Sequence, residues 1–315
     1  MKQRPKVWQS NMVPKEFILH LNCFSDHDTI GRFVSDRLTQ RHQEALSQLF
    51  SSGHIKLDDE LIYADITQIS KGQKVEVYFS DHFEEKVNTQ WRLLWENDEL
   101  LAVYKPHLLP VSRTTRNLYN TLISLVRRES PYATAHLLHR LDTETAGIVV
   151  LAKNSEADKK WKQQLDQLIT QKIYHACVSG VPDWDEMEWE CELSEKIGSP
   201  IRSQVYVVDP ESPELYPKPK LSKTVFRVLK REEGKSLVEC QLFTGRKHQI
   251  RVHLSYLGYP IIGDKVYAFS GHYYLKRISD GLNATDISIL GGEHHQLIAK
   301  QVVLNLNGDN IYLSV

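Results

Sequence analysis

The chain has 315 residues, 41% apolar and 25% charged, and its 39 Lys and Arg nearly balance 40 Asp and Glu for a net charge of −1. That is the make-up of a globular protein of two or three domains. The opening MKQRPKVWQS has no apolar segment and no run approaches membrane-spanning length, so neither a signal peptide nor a membrane span is expected. Cys23, Cys177, Cys191 and Cys240 are scattered without a C-x-x-C pair, and they read as reduced cytoplasmic thiols rather than a metal site.

Charge is unevenly spread. From Leu100 to Arg128 the chain carries Lys105, Arg113, Arg116, Arg127 and Arg128 and no carboxylate, whereas DWDEMEWECELSE at 183–195 carries seven carboxylates and no Lys or Arg. Such segregation permits one cationic face on a nearly neutral molecule, although either stretch could be plain solvated surface.

In chain order, residues 15–80 read as a small separate α/β unit. Ile30, Phe33, Val34 and Leu38 fall on one helical face of DTIGRFVSDRLTQRH, and QEALSQLFSSG gives a second helix stopped at Gly53. Short strands with turns at Asp58-Asp59 and Lys71-Gly72 follow. Residues 81–90 form a polar linker. A larger unit is then expected over 91–315, opening with a hairpin turned at Asn97-Asp98. A helix at LYNTLISLVRRE, the buried strand GIVVLAK, a helix at SEADKKWKQQLDQLI and the strand KIYHACVSG come next. Residues 196–222, with five prolines, read as an irregular insertion, followed by SKTVFRVLKRE, SLVECQLFTG and the helix KHQIRVHLSYLG. The order is that of an α+β fold, a mixed, mainly antiparallel sheet core with flanking helices.

The stretch HLLHRLDTETAGIVVLAK poses the functional question, because it sets Asp142 six residues before an apolar core strand. A carboxylate there is costly unless it is paired or chemically required. A kinase reading of HRLD needs a Gly-rich phosphate loop and Asp-Phe-Gly, and the sequence has neither. A glycosidase reading needs a second placed carboxylate, and the spacing of Glu144 gives no reason for that role.

Four motifs in order, over 91–306, resemble the RluA-type RNA pseudouridine synthases. They are Lys105-Pro106 at a hairpin end, His139-Arg140-Leu141-Asp142, the strand with Lys172, Tyr174 and Ala176, and Gly245 to His253. GGEHHQLIAKQVVLNLN is similar to the family's last strand. His107-Leu108 after Lys-Pro, and Thr143 and Ala146 after the aspartate, depart from the family pattern beside the catalytic element. The N-terminal unit loosely resembles a small RNA-binding domain shared by ribosomal proteins and RNA-modifying enzymes, with a helical packing module as the alternative.

The resemblance implies an isomerase that breaks the uridine glycosidic bond, turns the uracil and rejoins it through carbon 5, with no cofactor and no metal. It makes Asp142 the nucleophile, or the base for a glycal route, and Arg251 the cation that keeps it ionised. Arg140 would fill the space left by the flipped base, or simply pair with Asp142. Tyr174 would stack on the uracil and help deprotonate carbon 5, or belong to the core. His139 and Lys105, with Arg246, Lys247 and His248 opening a helix, would contact the RNA backbone; a surface basic cluster and a hairpin cap are the plainer readings. The partner implied is ribosomal or transfer RNA, with monomeric action in the cytoplasm. A non-catalytic RNA binder on the same scaffold is the alternative.

Overall fold

A computed structural model describes residues 16–23, 29–38, 46–80, 84, 86–114 and 117–315. Asp26, Asp28, the end of the first expected helix and the start of the second (39–45), linker positions 81–83 and 85, and Arg116 lie outside the described residues. The chain divides into two compact units, one from 9–89 with 109–131 and one holding 90–108 and 132–315. Residues 109–131, expected within 91–315, thus group with the N-terminal segment.

The smaller unit has β1 (Phe17–Asn22), β2 (Ile55–Leu57), β3 (Glu60–Leu61) and β4 (Lys74–Phe79), with α1 (Ile30–Ser35), α2 (Leu46–Ser51) and α3 (Leu122–Glu129). Its antiparallel sheet runs β1-β4-β2-β3. β1 was not foreseen, although Leu19 and Leu21 alternate with exposed neighbours in the strand period. Thr29 caps α1 by accepting the Arg32 N–H, and Ile30, Phe33, Val34 and Leu38 enter the core as their spacing requires. Glu84, in the expected polar linker, is instead buried. Its carboxylate accepts the backbone N–H groups of Tyr119 at 2.7 Å and Asn120 at 2.9 Å.

The larger unit begins with β5 (Arg92–Glu96), β6 (Leu100–Lys105), β7 (His136–Leu137), β8 (Ala146–Ala152) and β9 (Ile169–Ser179). It continues with β10 (Glu186–Ser194), β11 (Tyr206–Val207), β12 (Lys220–Glu232), β13 (Lys235–Leu242), β14 (Leu297–Leu306) and β15 (Asp309–Ser314). Helices α4 (Ser155–Gln163), α5 (Leu165–Leu168), α6 (Gln249–Tyr256), α7 (His272–Ser279) and α8 (Ala284–Leu290) flank them. The sheet has 11 strands, with β11-β10-β12-β13-β9-β14-β8-β6-β5 as its main path, β15 on β14 and β7 on β8. Among the described residues only β8 and β14 pair in parallel, so the expected mixed, mainly antiparallel α+β core is the one found.

β8 is buried at every position, as its continuous aliphatic run implies. Ile148, Val150, Trp161, Leu168, Val302 and Leu304 form the core beside it. Gly147 makes the parallel pairing possible: it has φ +117°, and a Cβ there would lie 2.3 Å from the Ala299 carbonyl oxygen. The acidic 186–194 segment proved to be strand β10, with glutamates alternating against Met187, Trp189, Cys191 and Leu193. The expected insertion at 196–222 is shorter than anticipated, because β12 begins at Lys220. Among the described residues no helix is long and apolar enough to cross a membrane.

Candidate active site

The β8–β14 crossing sets the site. Ala299 pairs with Gly147 on one side and with Tyr174 on the other, so the loop entering β8 and the middle of β9 meet at one place. That loop is tied down on several sides. His139 Nε2 accepts the Val150 N–H at 3.1 Å, and Thr145 Oγ1 lies 2.7 Å from His295 Nε2. Glu144 takes the Lys265 ammonium at 2.9 Å and the His295 N–H at 3.0 Å.

Asp142 is held by this braced loop, and its side chain is 29% exposed. Arg251 Nη1 donates to Asp142 Oδ2 at 2.7 Å, while Oδ1 has no hydrogen-bond partner among the described residues. Arg251 is fixed in turn by Asp264, which receives Nε at 2.7 Å and Nη2 at 2.9 Å in a bidentate pair. Asp264 is fully buried and also accepts the N–H groups of Val266 and Tyr267. One guanidinium therefore bridges two carboxylates, one sealed and one reachable.

Burial alone would raise the Asp142 pKa. His248, Arg251 and His295 outweigh it and bring the carboxyl to about 2. Burial itself lowers His248 and His295 to about 4, so both are neutral at neutral pH and Arg251 supplies the standing charge. Tyr267 Oη accepts the Val205 N–H at 3.0 Å and lies 2.9 Å from His248 Nδ1. The His248 ring thus spans from the Tyr267 hydroxyl to Asp142, with Nε2 3.9 Å from Asp142 Oδ2. Tyr174 is 8% exposed; burial and then the Asp142 charge push its hydroxyl well above the usual phenol range.

Four of the nine anticipated residues thus converge: Asp142, Arg251, His248 and Tyr174. Arg140 is exposed, and among the described residues it has no ion-pair partner, so Asp142 pairs with Arg251 rather than with it. Lys105 departs from a phosphate-contacting role, since its side chain is 0% exposed and Nζ donates to Pro106 O at 2.9 Å and Thr143 O at 3.0 Å. It braces the loop of Asp142, and burial lowers its pKa to about 7. His139, half-buried against β8, likewise faces the protein, with its pKa lowered to about 4 by desolvation and then Lys172. Arg246 and Lys247 are exposed; Arg246 Nε donates to Leu221 O and Lys247 pairs with Glu195. They precede α6 instead of opening it, because His248 takes φ +57° and the helix starts at Gln249.

Sequence reading missed Asp264, Tyr267 and the Glu144–Lys265–His295 cluster. The signal lay in GDKVY at 263–267, where Gly263 has φ +83° and a Cβ would lie 2.1 Å from His294 O. Such a glycine marks a tight backbone approach, which here presents Asp264 to α6. Among the described residues no group of three or more His, Cys, Asp or Glu is placed to hold a metal ion.

Residues 99–256 match the family model described as RNA pseudouridylate synthase. The dual-specificity RNA pseudouridine synthase RluA of Vibrio parahaemolyticus is 34% identical over 212 residues, 65% of this chain and 80% of that protein. RNA pseudouridine synthase 7 of Oryza sativa subsp. japonica is 29% identical over 254 residues, 80% of this chain and 63% of its own length. An uncharacterized RNA pseudouridine synthase of Synechocystis is 30% identical, covering 76% of this chain and 79% of that one. In fold, the solved human RNA pseudouridylate synthase domain containing 1 is similar with a TM-score of 0.57 at 20% identity, over 73% of this chain and 85% of that one.

Proposed function

This chain belongs to the RluA-type RNA pseudouridine synthases, and from that premise we propose that it isomerises specific uridines to pseudouridine in structured ribosomal or transfer RNA. The observation that carries the reading is the Asp142 carboxylate, kept ionised by Arg251 with Oδ1 left open toward the surface.

The reaction is an internal rearrangement. The N1–C1′ bond breaks, a C5–C1′ bond forms, and the proton lost from carbon 5 is balanced by one gained at N1. No oxidant, reductant or cofactor enters that balance. Asp142 Oδ1 serves either as nucleophile at the ribose or ring, or as the base that opens a glycal route. Arg251 restrains Oδ2, so that only one oxygen is free to react. Tyr174 lies against the uracil. With its hydroxyl pushed up, it is a neutral phenol, better suited to stacking and donating a hydrogen bond than to taking the carbon 5 proton.

Arg140, exposed and without an ion-pair partner among the described residues, is the side chain for the gap left by the flipped uridine. Arg246 and Lys247 meet phosphates, Lys247 exchanging its contact with Glu195 for one with RNA. The N-terminal unit helps to hold structured RNA, and the protein acts as a cytoplasmic monomer.

The test is to incubate total RNA from a strain lacking the protein with the purified chain and map new pseudouridines. New sites at reproducible positions are the expected result. RNA binding without any new pseudouridine would make the chain a binder on this scaffold.

A further inference from the structure

A cavity of about 410 Å³ lies beside the site, between α6 and the segment that carries β11. Its walls include Tyr206, Tyr216, Tyr256 and Tyr267, with Val207 and Val252. Tyr267 belongs to both places. Its hydroxyl binds the cavity-wall residue Val205 and reaches His248, which stands 3.9 Å from Asp142, and its ring centroid is 5.1 Å from the Arg251 guanidinium carbon. One aromatic side chain and one imidazole thus separate the cavity from the carboxylate that meets the target nucleotide.

We infer that this cavity receives a second nucleobase of the RNA, a close neighbour of the target uridine, and so reads sequence beside the modification site. The inference rests on the pseudouridine synthase reading and deepens it. Several features fit a base better than a phosphate or an aliphatic ligand. Aromatic walls stack on any nucleobase, and the space greatly exceeds that of one water. Asp209 lies at the wall and would repel phosphate, yet its carboxylate accepts hydrogen bonds from ring N–H or exocyclic amino groups. Its Oδ1 already accepts the Glu211 N–H at 3.0 Å, which fixes the carboxyl at the rim. Gln204 offers both a donor and an acceptor to the same occupant. Lys196 Nζ stands 5.9 Å and 5.6 Å from the Tyr206 and Tyr216 ring centroids, placing a cation where the flanking backbone would pass. A base bearing an amino group gives Asp209 a donor that uracil, with its single ring N–H, lacks, and is favoured over it.

The test uses hairpin RNAs with one loop uridine and randomised neighbours, converted by the wild type, Tyr256→Ala, and Val207→Trp, which fills the space. Tyr256 is 61% exposed, so its loss leaves the fold intact. Wild-type products should favour an amino-bearing base at one fixed offset from the uridine, and each variant should reduce that preference about tenfold. In parallel, 2-aminopurine is placed in turn on each side of the uridine and the protein is bound. Its emission should be quenched at that same offset by the wild type and not by Tyr256→Ala. Unchanged preference in both variants, or a rise in emission at every position, would overturn the inference. If the wild type converts no hairpin, the pseudouridine synthase reading fails, and the quenching alone then decides the cavity.

Discussion

Arg251 holds Asp142 through one nitrogen at 2.7 Å and turns its other two nitrogens to the buried Asp264. The open carboxylate is therefore positioned by a cation held from behind by the sealed carboxylate, which two backbone N–H groups fix in turn. Asp264→Asn should lower stability by about 3–5 kcal/mol, since it leaves buried guanidinium charge poorly compensated. Urea unfolding reads this directly, and a midpoint equal to the wild type would show that Arg251 does not depend on Asp264.

Lys105 offers a separable positioning effect. Lys105→Met removes both hydrogen bonds to the carbonyls of Pro106 and Thr143, which loosens the loop of Asp142 without touching the RNA surface. We expect kcat to fall roughly 10–100-fold while KM stays within about twofold. A change confined to KM would return Lys105 to a contact with RNA.

Arg140 is exposed, so its loss should not disturb the fold. If it replaces the flipped uridine, Arg140→Ala should slow conversion of a uridine within a paired stem by about 10–100-fold, and far less for a bulged uridine that is already unstacked. Equal slowing on both substrates would assign it an ordinary phosphate contact.

Acid should weaken this protein early. His139, His248, His253 and His295 are each lowered to about 4, by burial first, so the unfolded chain takes up protons near its ordinary value that the folded chain refuses. Their contribution is complete above the unfolded value and is lost as pH falls toward 4. Asp142 extends the loss lower, because its folded value of about 2 lies below that of the unfolded chain. Lys105, lowered to about 7, acts in the same direction in alkali, where stability should rise from pH 7 toward the ordinary lysine value. Each imidazole contributes up to about 1.4 kcal/mol per pH unit within its window. Urea midpoints measured from pH 7.5 to 4.5 should fall steeply below about pH 6.5. A flat series would mean that the imidazoles gain partners on protonation.

Much of this was legible in the sequence because the signals were local. The unbroken aliphatic run of β8 announced a buried strand, and the four spaced motifs brought Asp142, Tyr174 and Arg251 into one reading. What was missed depends on non-local packing. Glu186 to Glu192 read as solvated surface until the alternating Met187, Trp189 and Cys191 found β12 to pair with. Asp264 carried no sign of its partner, since the Arg251 pair is made by a turn folding back onto α6. Lys105 and His139 read as contacts to the RNA backbone, with a hairpin cap as the other reading of Lys105, because a strand end or a loop does not reveal which way a side chain points. The structure turns both inward, to carbonyls and to a strand N–H.

The central claim is that Asp142 performs the isomerisation. Its most direct measurement is tritium release from RNA labelled at uridine carbon 5, comparing the wild type with Asp142→Asn. The substitution preserves shape and removes the charge. The account expects steady release from the wild type, at least a ~10³-fold loss in the variant, and RNA binding retained by both. Release by Asp142→Asn at the wild-type rate would contradict it.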